Sequence, residues 1–344
     1  MPSKGPKTKQ RISAYSLLLP PVAIVLAAVI GWSIFWYVRS RETAAAVTAW
    51  MTREAQLGRA WSCPDQKIGG FPFSVEISCV NLLFQGEILG RTLTGNLRGF
   101  RATSPLPRND SLHAEMEPPF AVKSSDGAID VSMQWGELFL DLEGRPGALD
   151  RFSLSGNQVR LQGKAGGMDT VNGTSGDVNV VLARDRHDNA YDFMVSFNQG
   201  SIPALNSLLD TQLPIDIQVG GTISQVDLRG VETLRNFLEN WRSADGQLDI
   251  TTAWLTSGHI IFDAKGGLDL DAQHRVKGKL DASFAGLDKA FRQLGVDPAL
   301  ITAGQVLSGL LGGGTGRINL PLAFSEGFLS IGPVRTQIQI PPLY

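Results

Sequence analysis

The chain has 344 residues, enough for one large or two ordinary domains with a sizeable core. Hydrophobic residues make up 43% and charged ones 19%, which excludes global disorder. Of the 31 basic residues, five (Lys4, Lys7, Lys9, Arg11 and Arg39) fall in residues 1–39, where there is no acid; the remainder, 26 basic against 33 acidic, is a poor partner for nucleic acid.

Residues 15–38, YSLLLPPVAIVLAAVIGWSIFWYV, carry no charge. A helix from Pro21 to Val38 would span about 27 Å, close to the depth of a bilayer core. This predicts a transmembrane helix over residues 15–38, behind a cytoplasmic tail of residues 1–14. Pro20 and Pro21 fit the first turn, where a missing N–H matters least. Trp32, Trp36 and Tyr37 belong near the far interface. The basic tail favours an N-in orientation with the body outside the cytoplasm, and Arg39 and Arg41 weigh against it. A cleaved signal peptide is one alternative: Ala44-Ala45-Ala46 imitates its cleavage site, but the apolar run is too long. A buried soluble helix is another. Beyond Val38, Ala44, Val47, Trp50, Met51 and Leu57 keep helical spacing, which predicts a stalk over residues 39–60 ending near Gly58.

The stretch WSCPDQKIGGFPFSVEISC, Trp61 to Cys79, joins this segment to the body of residues 61–344 and holds both cysteines. Phe73, Val75, Ile77 and Cys79 alternate with polar residues, the pattern of one apolar strand face. Gly69, Gly70 and Pro72 predict a turn before it. A Cys63–Cys79 bridge would fold the intervening loop along that strand and is worth ~3 kcal/mol by loop-closure entropy. Two separate buried thiols are the alternative. Zinc needs four ligands and no histidine lies nearby; a redox pair favours Cys-x-x-Cys.

The body alternates with period two. Ile129, Val131, Met133 and Trp135 change phase to Leu138, Leu140 and Leu142, which predicts a tight turn or a bulge after Trp135-Gly136. Tyr191–Phe197, Ile215–Val219, Leu248–Trp254, Ile260–Ala264, Leu268–Ala272 and Val276–Phe284 follow, then Ile318–Phe324, Phe328–Ile331 and Thr336–Ile340. Turns are expected at Asp126-Gly127, Asp245-Gly246, Gly266-Gly267 and Glu326-Gly327, with a charged hairpin tip at Arg184–Ala190. Gln247–Gly286 reads as a meander of four or five strands. Helices are few: one through Val231, Leu234, Leu238 and Trp241; one through Ile202, Leu205, Leu208 and Leu209; one through Leu287, Phe291 and Leu294. A fourth, the most apolar, starts at Asp297-Pro298 and ends at Gly312-Gly313-Gly314. The expected fold is mainly β: one or more long curved antiparallel sheets with a few short covering helices, behind one transmembrane helix and stalk. A soft boundary falls at Ser201–Pro214.

Motifs for chemistry are sparse. His113, His187, His259 and His274 are isolated, and neither HExxH nor Gly-x-Ser-x-Gly occurs. The LLGGGTGR run lacks the Gly-Lys-Ser/Thr end of a phosphate loop and reads as a helix C-terminus and turn. Asp263, Asp269, Asp271 and Asp281 could attract a cation or form a solvated sheet face. Asn172-Gly173-Thr174 matches a glycosylation acceptor. No catalytic, cofactor or metal residue is assigned.

Trp50, Trp61, Cys63, Ile68-Gly69-Gly70-Phe71-Pro72-Phe73 and Cys79, with Glu326–Pro333 and Pro341-Pro342-Leu343, resemble a bacterial family known as domain of unknown function 2125, found mainly in alphaproteobacterial envelopes. The resemblance covers about residues 15 to 344 and brings no activity with it. The strand-rich C-terminal half is also similar in style to AsmA-like and YdgA-like envelope proteins, which implies a curved sheet or groove able to hold acyl chains. The expected function is an inner-membrane-anchored periplasmic protein that binds or shields lipid, in envelope lipid transport or outer-membrane assembly. A non-enzymatic structural or protein-interaction module is the alternative, and an envelope hydrolase the third reading.

Overall fold

The charge-free run over residues 15–38 and the alanine-rich stretch after it form one unbroken helix, α1 (Ala14–Gln56). The computed structural model describes residues 14–88, 91–108, 110–145, 148–165, 168–185, 189–227, 233–293 and 317–344. Residues 1–13 of the expected tail, His187, Val231, Leu294, the helix expected from Asp297 and the LLGGGTGR run to Gly316 lie outside them. Pro20 and Pro21 sit inside α1 rather than in its first turn. Leucines are strong helix formers, and residues 17–19 extend the helix backward past the two prolines. Residues such as Ile24, Val25 and Ile30 stay exposed, and none of the most apolar window is buried by protein. The helix is long and apolar enough to cross a membrane. It stops before Gly58, whose φ of +77° suits a residue without Cβ.

Seventeen strands follow among the described residues. The first ten are β1 (Arg59–Ser62), β2 (Lys67–Gly69), β3 (Ser74–Ile88), β4 (Arg91–Pro105), β5 (Ser111–Ser124), β6 (Asp130–Gln134), β7 (Leu138–Arg145), β8 (Ala148–Ala165), β9 (Met168–Arg184) and β10 (Tyr191–Gly200). Then come α2 (Pro203–Leu209), β11 (Ile215–Ile223), α3 (Leu234–Ser243), β12 (Leu248–Ser257), β13 (Ile260–Leu270), β14 (Val276–Ala285), α4 (Asp288–Gln293), β15 (Ile318–Ser325), β16 (Phe328–Ile331) and β17 (Val334–Gln339). Every ladder is antiparallel, as the alternation and its turns predict, and all of them join into one sheet. β1 and β2 lie end to end on one edge, both against β3. From β3 the chain meanders strand by strand to β17.

Two features depart from the simple meander. β6 and β7 lie end to end, both between β5 and β8, so the phase change after Trp135-Gly136 is an interruption of one long line and not a hairpin. Opposite it stand Pro118 and Pro119 of β5, which have no N–H to give the ladder. Trp135 turns inward there, 7% exposed, and its indole Nε1 donates to the Met116 carbonyl at 2.8 Å. The second departure corrects the turn expected at Gly266-Gly267. β13 runs straight through it, paired with β14 from Ile261 to Leu270. The reversal comes at Asp271–Arg275, where the Asp271 carboxylate accepts the Gln273 and Arg275 amides. Gln247–Gly286 therefore holds three long strands in place of four or five.

The core lies in the C-terminal half. Ile215, Ile250, Ile260, Leu280, Phe284, Ile318 and Ile331 are buried together with Leu209 of α2 and Ala290 and Phe291 of α4. Thus α2 and α4 cover this part of the sheet, two of the short helices that the sequence predicts. α3 follows from its own cap: the Thr233 hydroxyl accepts the Asn236 amide at 3.1 Å. Trp241 of α3 packs on Gly246 and donates to the Ser224 carbonyl at 2.8 Å.

Candidate functional site

The junction between helix and sheet is built from tryptophans. Trp32 Nε1 donates to the Pro72 carbonyl at 2.8 Å, and Trp36 Nε1 to the Ser74 carbonyl at 2.7 Å. Higher up, Trp50 meets Trp61, which meets Phe84 of β3, at centroid distances of 5.7 and 4.8 Å. α1 therefore runs along β3 from the Gly-Gly-Phe-Pro-Phe turn outward. A disulfide joins Cys63, between β1 and β2, to Cys79 of β3, with Cα atoms 5.8 Å apart. It ties the edge segment to the strand that bears α1. Val75 and Cys79 are buried, but Phe73 precedes β3 and is 75% exposed, so it leaves the face on which alternation places it. The turn reverses the chain before the pleat begins.

Between Trp36 and Trp50 the same face of the helix borders a gap. A cavity of about 580 Å³ lies between Arg39, Glu42, Thr43 and Ala46 of α1 and the neighbouring ends of β4, β5, β7 and β8. Leu112, Leu142 and Leu149 form its apolar wall; Asp110, Glu143 and Arg145 stand at its rim. The walls are fastened by Ser104 Oγ to the Ser111 carbonyl (2.9 Å), the Gly144 amide to the Asp110 carbonyl (2.8 Å) and Tyr191 Oη to the Leu149 carbonyl (2.7 Å). Burial pushes the Tyr191 hydroxyl above its usual pKa, so it stays a donor. Arg39 pairs with Glu42 at 2.9 Å, an exposed contact of little energetic weight.

The cavity opens on an apolar row that only the register reveals. Leu112 faces Leu142 and Ala114 faces Leu140. These continue to Phe152 and Leu154 of β8, then to Leu182 and Val180 of β9. Phe193 and Val195 of β10 come next, and Val219 of β11 pairs with Val195. Directly paired residues share a face. Val219 already packs on the core. From β7 to β10 the row is half-buried, and Val195 is 38% exposed. Among the described elements, α1 packs on β1 to β3 and α2 on α4, and no helix lies broadly on β7 to β10.

A second concavity, of about 500 Å³, lies over β12 to β15, edged by Thr252, Asp263, Lys265, Asp281 and Asn319. Its polar lining follows from the outward positions of those strands. The four aspartates singled out in the sequence do not converge. Asp263 pairs with Arg317, Asp269 with Lys277 and Asp271 with Arg275, and among the described residues no three metal-ligating side chains gather. The described histidines remain apart: His113 contacts Asp141 at 2.6 Å and stacks on Phe139, His274 stacks on Tyr344, and His259 lies beside Gly286. Asn172 and Thr174 sit within β9, paired with β8.

The alternation of Leu138, Leu140 and Leu142 is legible in the sequence, but the cavity is not. The signal was present in the strand pattern; the partner across the gap, Arg39 to Ala46, is nearly a hundred residues away. Over residues 36–339 the chain matches the model of a family described as "Uncharacterized protein conserved in bacteria (DUF2125)". No curated protein and no solved structure matches the chain, so the likeness to AsmA-like and YdgA-like proteins gains nothing from these comparisons. A match over most of its length, from the end of the apolar run to the last strand, means that this chain belongs to that bacterial family.

Proposed function

We propose that this protein is anchored in the bacterial inner membrane by residues 15–38, with residues 1–14 cytoplasmic, a stalk over 39–60, and the body 61–344 in the periplasm. There its sheet binds or shields a lipid chain. The orientation is supported by the basic residues ahead of the apolar run, and the compartment by the disulfide, which persists in oxidising surroundings. The observation that carries the ligand reading is the apolar row from Leu112 to Val195, half-covered and opening beside α1 just past the apolar segment. An acyl chain laid there removes apolar surface from water at about 25 cal/mol per Å². The rim is polar, with Arg39 and Arg145 beside Glu42, Asp110 and Glu143, and so leaves the apolar wall as the part that would hold a chain.

The test is native mass spectrometry of the full-length protein released from bilayer nanodiscs, with Leu142→Asn/Leu154→Asn beside it. A lipid retained by the parent and lost by the variant supports the reading. A parent that retains none, or a variant that retains as much, sinks it.

A further inference from the structure

The turn over residues 69–73 is held and yet displays its largest groups. Its Gly70 carbonyl accepts the Ser74 amide at 3.0 Å and the Ser74 hydroxyl at 3.1 Å, and the Phe73 carbonyl accepts the Leu106 amide at 2.8 Å. The Pro72 carbonyl is taken by Trp32. Gly70, at φ +94°, leaves no room for a Cβ, which would lie 2.7 Å from the Ser74 carbonyl oxygen. On this braced loop Phe71 is 54% and Phe73 75% exposed, with Ile68 exposed beside them. Phe71 meets Trp36 edge-on at 5.4 Å. Two phenyl rings left in water forgo the transfer energy that burial in an apolar phase would give them.

The level of the turn is fixed by its partners. Trp32 lies six residues before Val38, or about 9 Å along the helix, and Trp36 about 3 Å. The turn thus stands beside the last stretch of the apolar run, within the 5–10 Å over which interfacial segments sink into the headgroup and acyl boundary. Its bonded carbonyls suit that setting, where unmet backbone groups are costly. On the reading that α1 crosses the bilayer, we infer that the Gly69–Phe73 turn is a second membrane contact. It sinks Phe71 and Phe73 into the outer interface of the lipid bilayer beside the helix. The sheet then meets the membrane at two points and cannot swing freely about α1, and the cavity at Arg39 is held next to the lipid surface.

The experiment uses the full-length protein with its native disulfide, in liposomes of phosphatidylethanolamine and phosphatidylglycerol. An environment-sensitive fluorophore is attached at Phe73→Cys, at Val29→Cys within the apolar run, or at Ser125→Cys. Ser125 follows β5 at the opposite strand ends, about 40 Å from Ser74 by strand length. Acyl-chain nitroxide lipids should quench the labels at 73 and 29 severalfold and spare the one at 125, while aqueous iodide should do the reverse. Quenching at 29 with water-like behaviour at 73 overturns the inference and leaves the anchor standing. Water-like behaviour at both overturns the two together. Phe71→Cys is the second labelling position, read in the same way, if the thiol at 73 exchanges with the native bridge.

Discussion

Glu239 shows how much one exposed carboxylate can organise. It accepts from Arg242 at 2.6 and 3.2 Å, from Tyr344 Oη at 2.6 Å and from Ser243 at 3.2 Å. The Arg242 guanidinium, and then the Tyr344 hydroxyl, hold its pKa down to about 2 from an ordinary 4.5. A depressed carboxylate favours the folded arrangement fully above its unfolded pKa. That contribution is lost as pH falls from about 4.5 through about 2. Tyr344 also stacks on His274 at 4.3 Å, and the Leu343 amide donates to the His274 carbonyl at 2.9 Å, so the pinned unit is the C-terminal tail. The Tyr344 ring resonances should therefore hold their folded positions at pH 5 and move toward free values as pH nears 2. In Glu239→Gln they should sit nearer the free values at pH 5 and change little on acidification. A tail that releases identically in both proteins would show that Glu239 does not hold it. Nothing in the sequence pairs positions 239 and 344; the contact exists because β13 and β14 carry their connecting turn to α3.

Elements decide where glycine and cysteine matter. Gly266 sits at φ +146° inside β13, and a Cβ there would lie 2.3 Å from the Lys279 carbonyl oxygen; Gly267 has open space around it. Gly266→Ala should destabilise the protein by about 1–3 kcal/mol through backbone strain alone, and Gly267→Ala by less than about 1 kcal/mol. Urea unfolding of the two variants checks this, and equal midpoints would refute it. In sequence the pair reads as a turn, because glycine doublets more often reverse a chain than bend a strand. The Cys63–Cys79 bridge acts on another element, the β1–β2 edge. Cys63→Ser/Cys79→Ser should cost roughly 3 kcal/mol by loop entropy and speed amide exchange in residues 59–69 before the rest of the sheet. Uniform exchange in parent and variant would mean that the edge is held by pairing with β3 alone. The continuous α1 is the plainest element to read: an uncharged run followed by alanines has one regular structure open to it.

For the whole molecule, the sheet divides by covering. From β11 onward the apolar face is filled by α2, α4 and the sheet's own neighbours; from β7 to β10 it is half-covered. The proposed topology makes a firm demand on this arrangement. An alkaline phosphatase fused after Tyr344 should be active in cells and a cytosol-dependent fluorescent protein dark. The opposite pair of results would remove the periplasmic reading, and the lipid reading with it.

Residue order alone determined the helix, the clearly alternating strands and the mainly β architecture; it did not single out the long strands β4, β5, β8 and β9. A pleat that sends neighbours to opposite faces leaves its period in the chain, and a long charge-free apolar run leaves a helix long enough to cross a bilayer. Only the tertiary structure decided that β6 and β7 form one broken line, that Phe73 faces outward on a braced turn, and that one stretch of apolar face is filled and another left half-open. Those outcomes depend on which distant segments lie alongside. Pairing and covering are relations between residues far apart in the chain, and no local pattern records them.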